Sequence, residues 1–422
     1  MNESSAVTSP PAPAEAEFIH RLRDRAAASC GVYTEEQGVL MVFDPEAARR
    51  INGDNWYRYT LPDRVVDLLR RRQSPRVAWQ SLRVAWLRQL RALSTPEHTA
   101  AMAQTMTRIA DTRLDRETDL VSLAWDWVYE TLVPLALGGL SQRETRLLRR
   151  DLDRKLQRLL TRTRNRRPWR AVTYVTGQLR AGLVVRRVIR QRAAGRRPRW
   201  PDLADPIVDM LPELGMDRAL GAVTTVTTAI GGPPVAAATC LLYELARQPG
   251  WAGRLADELG AVDLAAFHAD PIAAAPMTHR FVKEVLRMWS PPLLLARVAR
   301  RDLEVAGAGR TLHAGDQYLL GGYIIHRSPQ YWQDPHVFDP DRWLPGAENG
   351  PCGRGHYVPF GWAPKACIGA DVGTISLMLI CYLMCTHYRL EVPDVANLTM
   401  GYQFAAIPDN FTGTIRVRTP SA

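Results

Sequence analysis

The stretch Phe360-Gly361-Trp362-Ala363-Pro364-Lys365-Ala366-Cys367-Ile368-Gly369 decides how the rest of this 422-residue sequence is read. Glycine and proline punctuate it as a loop, and the apolar run that follows, residues 369–386, has the composition of a buried helix. A thiol at such a junction can be held as a thiolate, because backbone N–H groups and a helix N-terminus stabilise its charge. The arrangement can present Cys367 to a haem iron, and thiolate ligation favours cleavage of an O–O bond. A free core cysteine ahead of a buried helix is the competing reading of the loop taken alone.

Other residues fall in step with the loop. Glu284 and Arg287 are three apart, so on a helix they share a face and can form a charge-assisted pair. Arg342, from a distant segment, can complete a buried Glu-Arg-Arg network; a solvated surface pair is the alternative. In order along the chain, Glu284-Val285-Leu286-Arg287, Pro291-Pro292, Arg297, His326-Arg327-Ser328-Pro329, Asp334-Pro335 and Phe338-Asp339-Pro340-Asp341-Arg342-Trp343 lead to the cysteine loop. This series resembles the cytochrome P-450 family, with its E-x-x-R, F-x-P-E-R-F and F-x-x-G-x-x-x-C-x-G elements. Phe360, Cys367 and Gly369 match the last of these. Ala363 stands where the second glycine is usual, and its methyl group is expected to strain the loop.

The resemblance runs from Asp44 to the C-terminus and is strongest after Met216. It implies haem b on the Cys367 thiolate, with Phe360 and Gly369 in the haem-binding loop and Glu284, Arg287 and Arg342 locking that loop. It also implies Arg297 and Lys365 at the haem propionates, joined by Trp79 and Arg83, which resemble the W-x-x-x-R element of the family's C helix. Substrate contacts are expected from residues 56–62, from Thr224 to Gly232 including Ile230, from Leu293, Leu294 and Leu295, and from residues 403–407 including Phe404. The three leucines read equally as core packing.

One departure bears on the chemistry. Counting back from Tyr243-Glu244-Leu245-Ala246-Arg247-Gln248-Pro249, the family's acid-threonine pair falls on Gly232 and Pro233, and neither side chain can donate or relay a proton. Pro233 and Pro234 remove two backbone donors and clash with the preceding turn, so the helix is expected to kink or open. Thr227 or Thr228, about a turn earlier, offers a hydroxyl. Three mechanisms stay open: substrate or ordered water supplies the proton in an enzyme that hydroxylates, couples or desaturates; peroxide is the oxidant, although the Arg-Pro pair of fatty-acid peroxygenases is absent; or iron acts as a Lewis acid in an isomerase or dehydratase. A non-catalytic haem-binding or basic interaction module is the reading from another class.

Hydrophobic content of 46% supports a large core and charged content of 23% is ordinary. Net charge is +11, carried by arginine more than lysine. The dense run from Arg143 to Arg199 carries an inward face of Leu147, Leu148, Leu152, Leu156, Leu159 and Leu160, which favours solvated helix faces over nucleic-acid binding. A second group, Arg76, Arg83 and Arg88, lies on what the resemblance makes the thiolate side and suits an acidic ferredoxin-type donor, if dioxygen is the oxidant, or an acidic carrier protein bearing the substrate. The Arg- and Ala-rich composition looks like a GC-rich bacterium, which suggests a small secondary-metabolite substrate. Cysteines 30, 240, 352, 367, 381 and 385 contain no C-x-x-C, and their scatter fits a reducing cytoplasm; Cys381 and Cys385 read as core packing. Residues 1–16 read as a disordered leader, and no apolar stretch is expected to span a membrane uninterrupted.

Periodicity is helical for most of the length. Helices are expected at 14–28, 45–51 behind an Asp44 cap, 65–72, 77–92, 96–115, 118–137, 141–160, 169–194 and 216–247, the last interrupted at Gly231-Gly232-Pro233-Pro234. Strands are expected at 39–43, within 303–323 and in a closing hairpin region at 402–417. The expected fold is mainly α with a small β portion, a cytochrome P-450-like single large domain over residues 17–422, monomeric.

Overall fold

The computed structural model describes residues 16–35, 38–55, 78–160, 168–305, 309–350 and 355–418. Residues 1–15 of the expected leader, the loop 56–62, the helix 65–72, Arg76 and Cys352 lie outside the described residues, as do the side chains of Trp79, Leu159 and Leu160.

The longer helices are α1 (Glu17–Ala28), α2 (Pro45–Asp54), α3 (Trp79–Leu93), α4 (Pro96–Asp111), α5 (Leu120–Ala136), α6 (Gln142–Leu160), α7 (Pro168–Ala193), α8 (Met216–Ile230), α9 (Pro233–Arg247), α10 (Pro249–Ala261), α11 (Pro276–Met288) and α12 (Ala370–Tyr382). The strands are short: β1 (Val32–Thr34), β2 (Leu40–Val42), β3 (Glu117–Asp119), β4 (Leu295–Val298), β5 (Leu303–Glu304), β6 (Thr311–Leu312), β7 (Gln317–Leu320), β8 (Tyr388–Glu391), β9 (Met400–Tyr402), β10 (Ala406–Pro408) and β11 (Thr412–Val417). The fold is mainly α with a small β portion, as the periodicity indicates.

Local chemistry sets several boundaries. The Asp44 side chain accepts from the Ala47 N–H at 2.7 Å and Pro45 takes the first helical position, which fixes the start of α2. Glu144 accepts from the Ser141 N–H at 2.9 Å and closes a capping box ahead of α6. Two expectations fail at their edges. The helix expected from residue 118 yields its start to β3, because Thr118 is buried and β3 pairs with β11, almost 300 positions later in the chain. Tyr323 belongs to a helical turn, Gly322–Ile325, instead of a strand.

The chain forms two compact units. One comprises Met1–Trp56, Met106–Ala124 and Ala236–Ala422 and, among the described residues, holds every strand. Its larger sheet has the order β1-β2-β7-β4, with β2 and β7 parallel, and its three-stranded sheet has the order β3-β11-β8. Beneath the larger sheet Leu40, Val42, Ile51, Tyr318, Leu320 and Trp332 pack with Val358 and Trp362, so both ends of the segment leading to Cys367 are held in a core.

The other unit comprises Tyr57–Thr105 and Trp125–Val235. Leu148, Leu152 and Leu156 point inward from α6 as expected, whereas Leu147 is half-buried. Many arginines of the basic run are used within the unit. Arg186 pairs with Asp217 at 2.6 Å and Arg197 with Glu144 at 2.6 Å, while Arg192 and Asp202 form a fully buried pair at 2.9 Å.

Two segments, Met216–Arg247 and Ala370–His387, are long and apolar enough to cross a membrane by length and composition; the first is interrupted between α8 and α9 as expected, whereas the second runs without the break expected at Gly373 and Ser376. They are 67% and 56% buried within the protein, and Cys381 and Cys385 are part of that packing.

Candidate functional site

Cys367 ends a tightly bonded loop just ahead of α12. Its N–H donates to the Phe360 carbonyl at 2.8 Å, the Lys365 N–H to Trp362 at 3.0 Å, and the Gly361 N–H to Val358 at 3.0 Å. The Cys367 side chain is exposed, and a Cβ at Gly369 would stand 3.9 Å from its sulfur. Phe360 lies the same distance from where a Cβ would sit at Gly373 on α12. The left-handed residue of the loop is Gly361, with φ of 76°, and Ala363 is not among the residues with positive φ. The strain expected at Ala363 is therefore absent, because the conformation that needs glycine lies two residues earlier. The buried Asn52 of α2 donates to the carbonyls of Trp362 and Ala363 at 2.9 and 3.1 Å and clamps the middle of the loop.

The Glu-Arg-Arg network is fully buried. Glu284 accepts from Arg287 at 2.7 and 2.9 Å, from Arg342 at 3.0 Å, from the Asp339 N–H at 2.9 Å and from the Trp343 indole at 3.0 Å. The remaining guanidinium N–H groups donate to carbonyls: Arg287 to His326, Pro335 and Val337, Arg342 to Gln333 and Asn349 among others. Burial alone would raise the Glu284 pKa, but Arg287 and Arg342 outweigh it and hold the carboxyl below its ordinary range.

His326 links this network to the loop. Its carbonyl accepts from Arg287 and its Nε2 accepts from the Val358 N–H at 2.8 Å. Accepting at Nε2 requires a neutral ring, and burial followed by Arg287 and Arg327 lowers the His326 pKa to about 3. His326→Ala leaves the Val358 N–H buried without an acceptor, which costs about 1–3 kcal/mol. Haem content per chain should fall more than the urea midpoint does if the loss is felt at the loop; equal losses would make His326 a general packing residue.

Arg297, on β4, and Lys365 supply positive charge in the same unit. Arg297 is half-buried; its Nη1 donates to the Ala296 carbonyl at 3.0 Å, its Nε has no hydrogen-bond partner, and its pKa is lowered by burial. Lys365 donates to the Asn55 carbonyl at 3.0 Å and is pulled down to about 8 by burial and by the like charges of Arg297 and Arg300. Asn55 in turn receives the Arg300 N–H at 3.0 Å and donates to Tyr318 at 2.8 Å. A half-buried guanidinium with an unpartnered Nε suits a carboxylate, and a group carrying two carboxylates and needing one thiolate fits these residues.

In the second unit the long helix breaks completely. Helix α8 ends at Ile230, the Gly231 N–H turns back to the Thr228 carbonyl at 3.1 Å, and α9 begins with Pro233 and Pro234. The expected clash is avoided because first-turn prolines need no N–H partner. Gly232 is buried; Thr224 and Ile230 are half-buried on α8. Thr227 donates its hydroxyl to its own helix at 3.1 and 3.0 Å, which removes it as the hydroxyl source. Thr228 instead accepts from Lys155 at 3.2 Å.

Among the residues expected to line the substrate site, the Leu293 N–H bonds the Phe404 carbonyl at 2.9 Å. Leu295 sits on β4 and packs on the sheet core, and Leu294 lies beside Gly321. Arg83 is half-buried on α3. Asn52 and Asn55 were not singled out by sequence reasoning, and His326 entered it only within His326-Arg327-Ser328-Pro329, without a role. Two asparagines three apart at the end of a helix were the available signal, since asparagine is a poor helix former and usually bonds elsewhere.

Comparison with known proteins agrees with this geometry. The family profile described as Cytochrome P-450 matches residues 220–411. A cytochrome P-450 monooxygenase, alnD, of Emericella nidulans is 38% identical over 165 residues, covering 38% of this chain and 29% of the relative. Cyclooctatin synthase of Streptomyces melanosporofaciens is 32% identical over 157 residues, 37% of this chain and 33% of the relative. The chain thus matches about a third of the length of these curated relatives. In fold, the haem domain of cytochrome P450DA aligns with a TM-score of 0.73 at 18% identity, over 98% of each chain. A zebrafish cytochrome P-450 solved with progesterone aligns at 0.74 and 16% identity, over 95% of this chain and 100% of that one. Residues 220–411, Cys367 among them, thus match the cytochrome P-450 family, and the fold over nearly the whole length is that of cytochrome P-450 structures.

Proposed function

We propose that the chain is a haem-thiolate oxidoreductase that oxidises a small organic secondary-metabolite substrate by hydroxylation, coupling or desaturation. The observation that carries this reading is the exposed Cys367 ahead of α12 in a unit that also holds Arg297, a half-buried cation whose Nε has no hydrogen-bond partner. Bound there, haem b supplies thiolate-ligated iron able to activate an oxidant. The residues of the chain hold it: Cys367 as ligand, Phe360 and Gly369 beside it, Arg297 and Lys365 toward its acids with Trp79 and Arg83, and Glu284, Arg287 and Arg342 fixing the loop. Thr224, Ile230, Leu293, Leu294, Leu295 and Phe404 are the proposed substrate contacts.

The relatives named as a monooxygenase and as a synthase support a dedicated small-molecule substrate, free or on a carrier protein. A monomer in the cytoplasm, one haem domain over residues 17–422 and a ferredoxin-type donor complete the proposal. Gly232 and Pro233, without an acid or a hydroxyl, favour a second reading as a peroxide-driven enzyme or a redox-neutral isomerase or dehydratase.

The reduced carbon monoxide difference spectrum tests the first reading. A thiolate band is expected; its absence, or failure to take up haem, overturns it. With the band present, oxygen uptake driven by ferredoxin supports the oxygen-dependent oxidase. Reaction with peroxide alone, or product formation under anaerobiosis, supports the second reading. Stable haem binding with neither leaves a non-catalytic haem protein.

A further inference from the structure

Among the described residues of the strand-bearing unit, four guanidiniums are buried, those of Arg247, Arg287, Arg327 and Arg342, against two buried carboxyls, Glu244 and Glu284. Even with both carboxyls ionised, two positive charges are in excess. Glu284 is taken up by Arg287 and Arg342. Glu244 accepts from Arg247 at 3.3 Å, from the Trp289 indole at 2.8 Å and from Gln248 at 3.2 Å, and stands within electrostatic reach of Arg327. Arg327, 1% exposed, donates to the Met288 carbonyl and lies over the rings of Tyr323 at 4.1 Å and Trp289 at 4.9 Å. Carbonyls and ring faces solvate a guanidinium but carry no net charge, so a buried excess of one sign favours an anion that can reach it.

A cavity of about 550 Å³ reaches this excess from outside. It lies in the same unit, between α1 and the segment from Ile324 to His336, with Arg23 and Arg327 both in its lining. Arg23 is half-buried and donates to the His336 ring at 2.7 Å and to the His20 ring at 3.1 Å, since a guanidinium can only donate. The bond to His336 ties α1 to the opposite wall. That wall is fixed from behind, because Arg287 donates to the carbonyls of His326 and Pro335, near its two ends, at 2.8 Å each. Phe43 and Ile324 give the cavity an apolar side.

We propose that this cavity binds a small organic carboxylate, with the acid group met by the charges of Arg23 and Arg327 and the apolar body lying against Phe43 and Ile324. The site goes beyond the haem reading, since neither arginine is among the residues assigned to haem. Cavities of roughly 300–1,000 Å³ hold whole small molecules, and a bare inorganic anion would leave the apolar side uncovered. Charge chooses between organic acids. The one acid among the described lining residues is Asp24, which is exposed, so Arg23, Arg327 and Asp24 sum to one positive charge. A carboxylate cancels that charge, whereas a phosphate monoester, at about −1.5 to −2, overshoots it. The planar guanidinium also matches the two oxygens of a carboxylate.

The test is equilibrium dialysis of the haem-loaded protein against 2-naphthoate, with 2-naphthamide, 2-naphthyl phosphate and inorganic phosphate alongside, while the Soret band reports any ligand that reaches the iron. One 2-naphthoate per chain is expected to bind with the Soret band unmoved. Arg23→Gln should weaken that binding about tenfold or more, the usual worth of a hydrogen bond to a charged group. Ala27→Trp, which puts a large ring into the cavity from an exposed position on α1, should abolish it. Both variants should keep the parent melting temperature, because neither position is buried. The amide has the same shape and no charge, and should bind about tenfold more weakly or worse.

Unchanged affinity in either variant overturns the proposal, as does an amide that binds as well as the acid. Tighter binding of 2-naphthyl phosphate, or competition by inorganic phosphate at the same concentration as 2-naphthoate, gives the cavity to a phosphate and overturns the carboxylate. A parent that binds 2-naphthoate only with a shift of the Soret band, or that binds none at about 1 mM, overturns the site.

Discussion

Glu284→Ala is expected to leave a chain that holds little haem and melts far below the parent. Glu284 is the only anion in a fully buried network with two guanidiniums, and its oxygens accept from Arg287, Arg342, Asp339 and Trp343. Removing one partner of a buried ion pair strands the other charge without solvation, at about 3–5 kcal/mol. Total stability is typically about 5–15 kcal/mol, so this one change consumes a large part of it. Urea unfolding followed by tryptophan fluorescence measures the loss. A drop below about 1 kcal/mol would mean that the guanidiniums find other partners, and would contradict the burial seen here.

Acid should weaken the parent in two stages. His326 is neutral when folded, with a pKa near 3 against 6.5 unfolded, so the unfolded chain binds the extra proton and stability falls as pH drops below about 6.5. Glu284 is held below its ordinary range, so its contribution is present above the unfolded carboxyl pKa and is lost as pH falls through the folded value. Glu284→Gln removes the second stage and leaves the first.

The cysteine loop and the Glu-Arg-Arg network were legible because their residue types are unusual for their places. An E-x-x-R followed by a distant arginine asks for a buried pairing, and Glu284 makes it with Arg287 and Arg342; a cysteine before an apolar helix asks for an ordered loop, and backbone bonds and Asn52 order it. The break at Gly231 and Gly232 was legible for the same reason, since consecutive prolines cannot continue a helix. What they do at the break was less so, because a helix that would be strained by a clash simply ends and restarts.

Strand β3 was hidden inside a helical pattern because its partner β11 lies at the other end of the chain. Ala363 looked strained because motif spacing says where a glycine is usual, not where φ turns positive. Asn52 and His326 act through hydrogen bonds to backbone atoms of the loop, and such bonds leave no mark in the residue types at the receiving end.

Cys367→Ser should separate the ligand from the fold, the reverse of Glu284→Ala. The Cys367 side chain is exposed, and backbone hydrogen bonds and Asn52 hold the loop through its main chain. The urea midpoint should therefore stay within the range of a neutral surface change, about 0.5 kcal/mol. The thiolate band should vanish outright, because a serine hydroxyl is far less acidic than a thiol and does not give the soft anionic sulfur ligand. Some haem should remain in the variant, held through Arg297 and Lys365, and a further Arg297→Leu change should remove it. If Cys367→Ser keeps the band, one of the other cysteines is the ligand, and Cys240, Cys381 and Cys385 are all buried with thiol pKa values pushed up by burial. None of them is suited to be a thiolate, so retention of the band would overturn the role assigned to the loop.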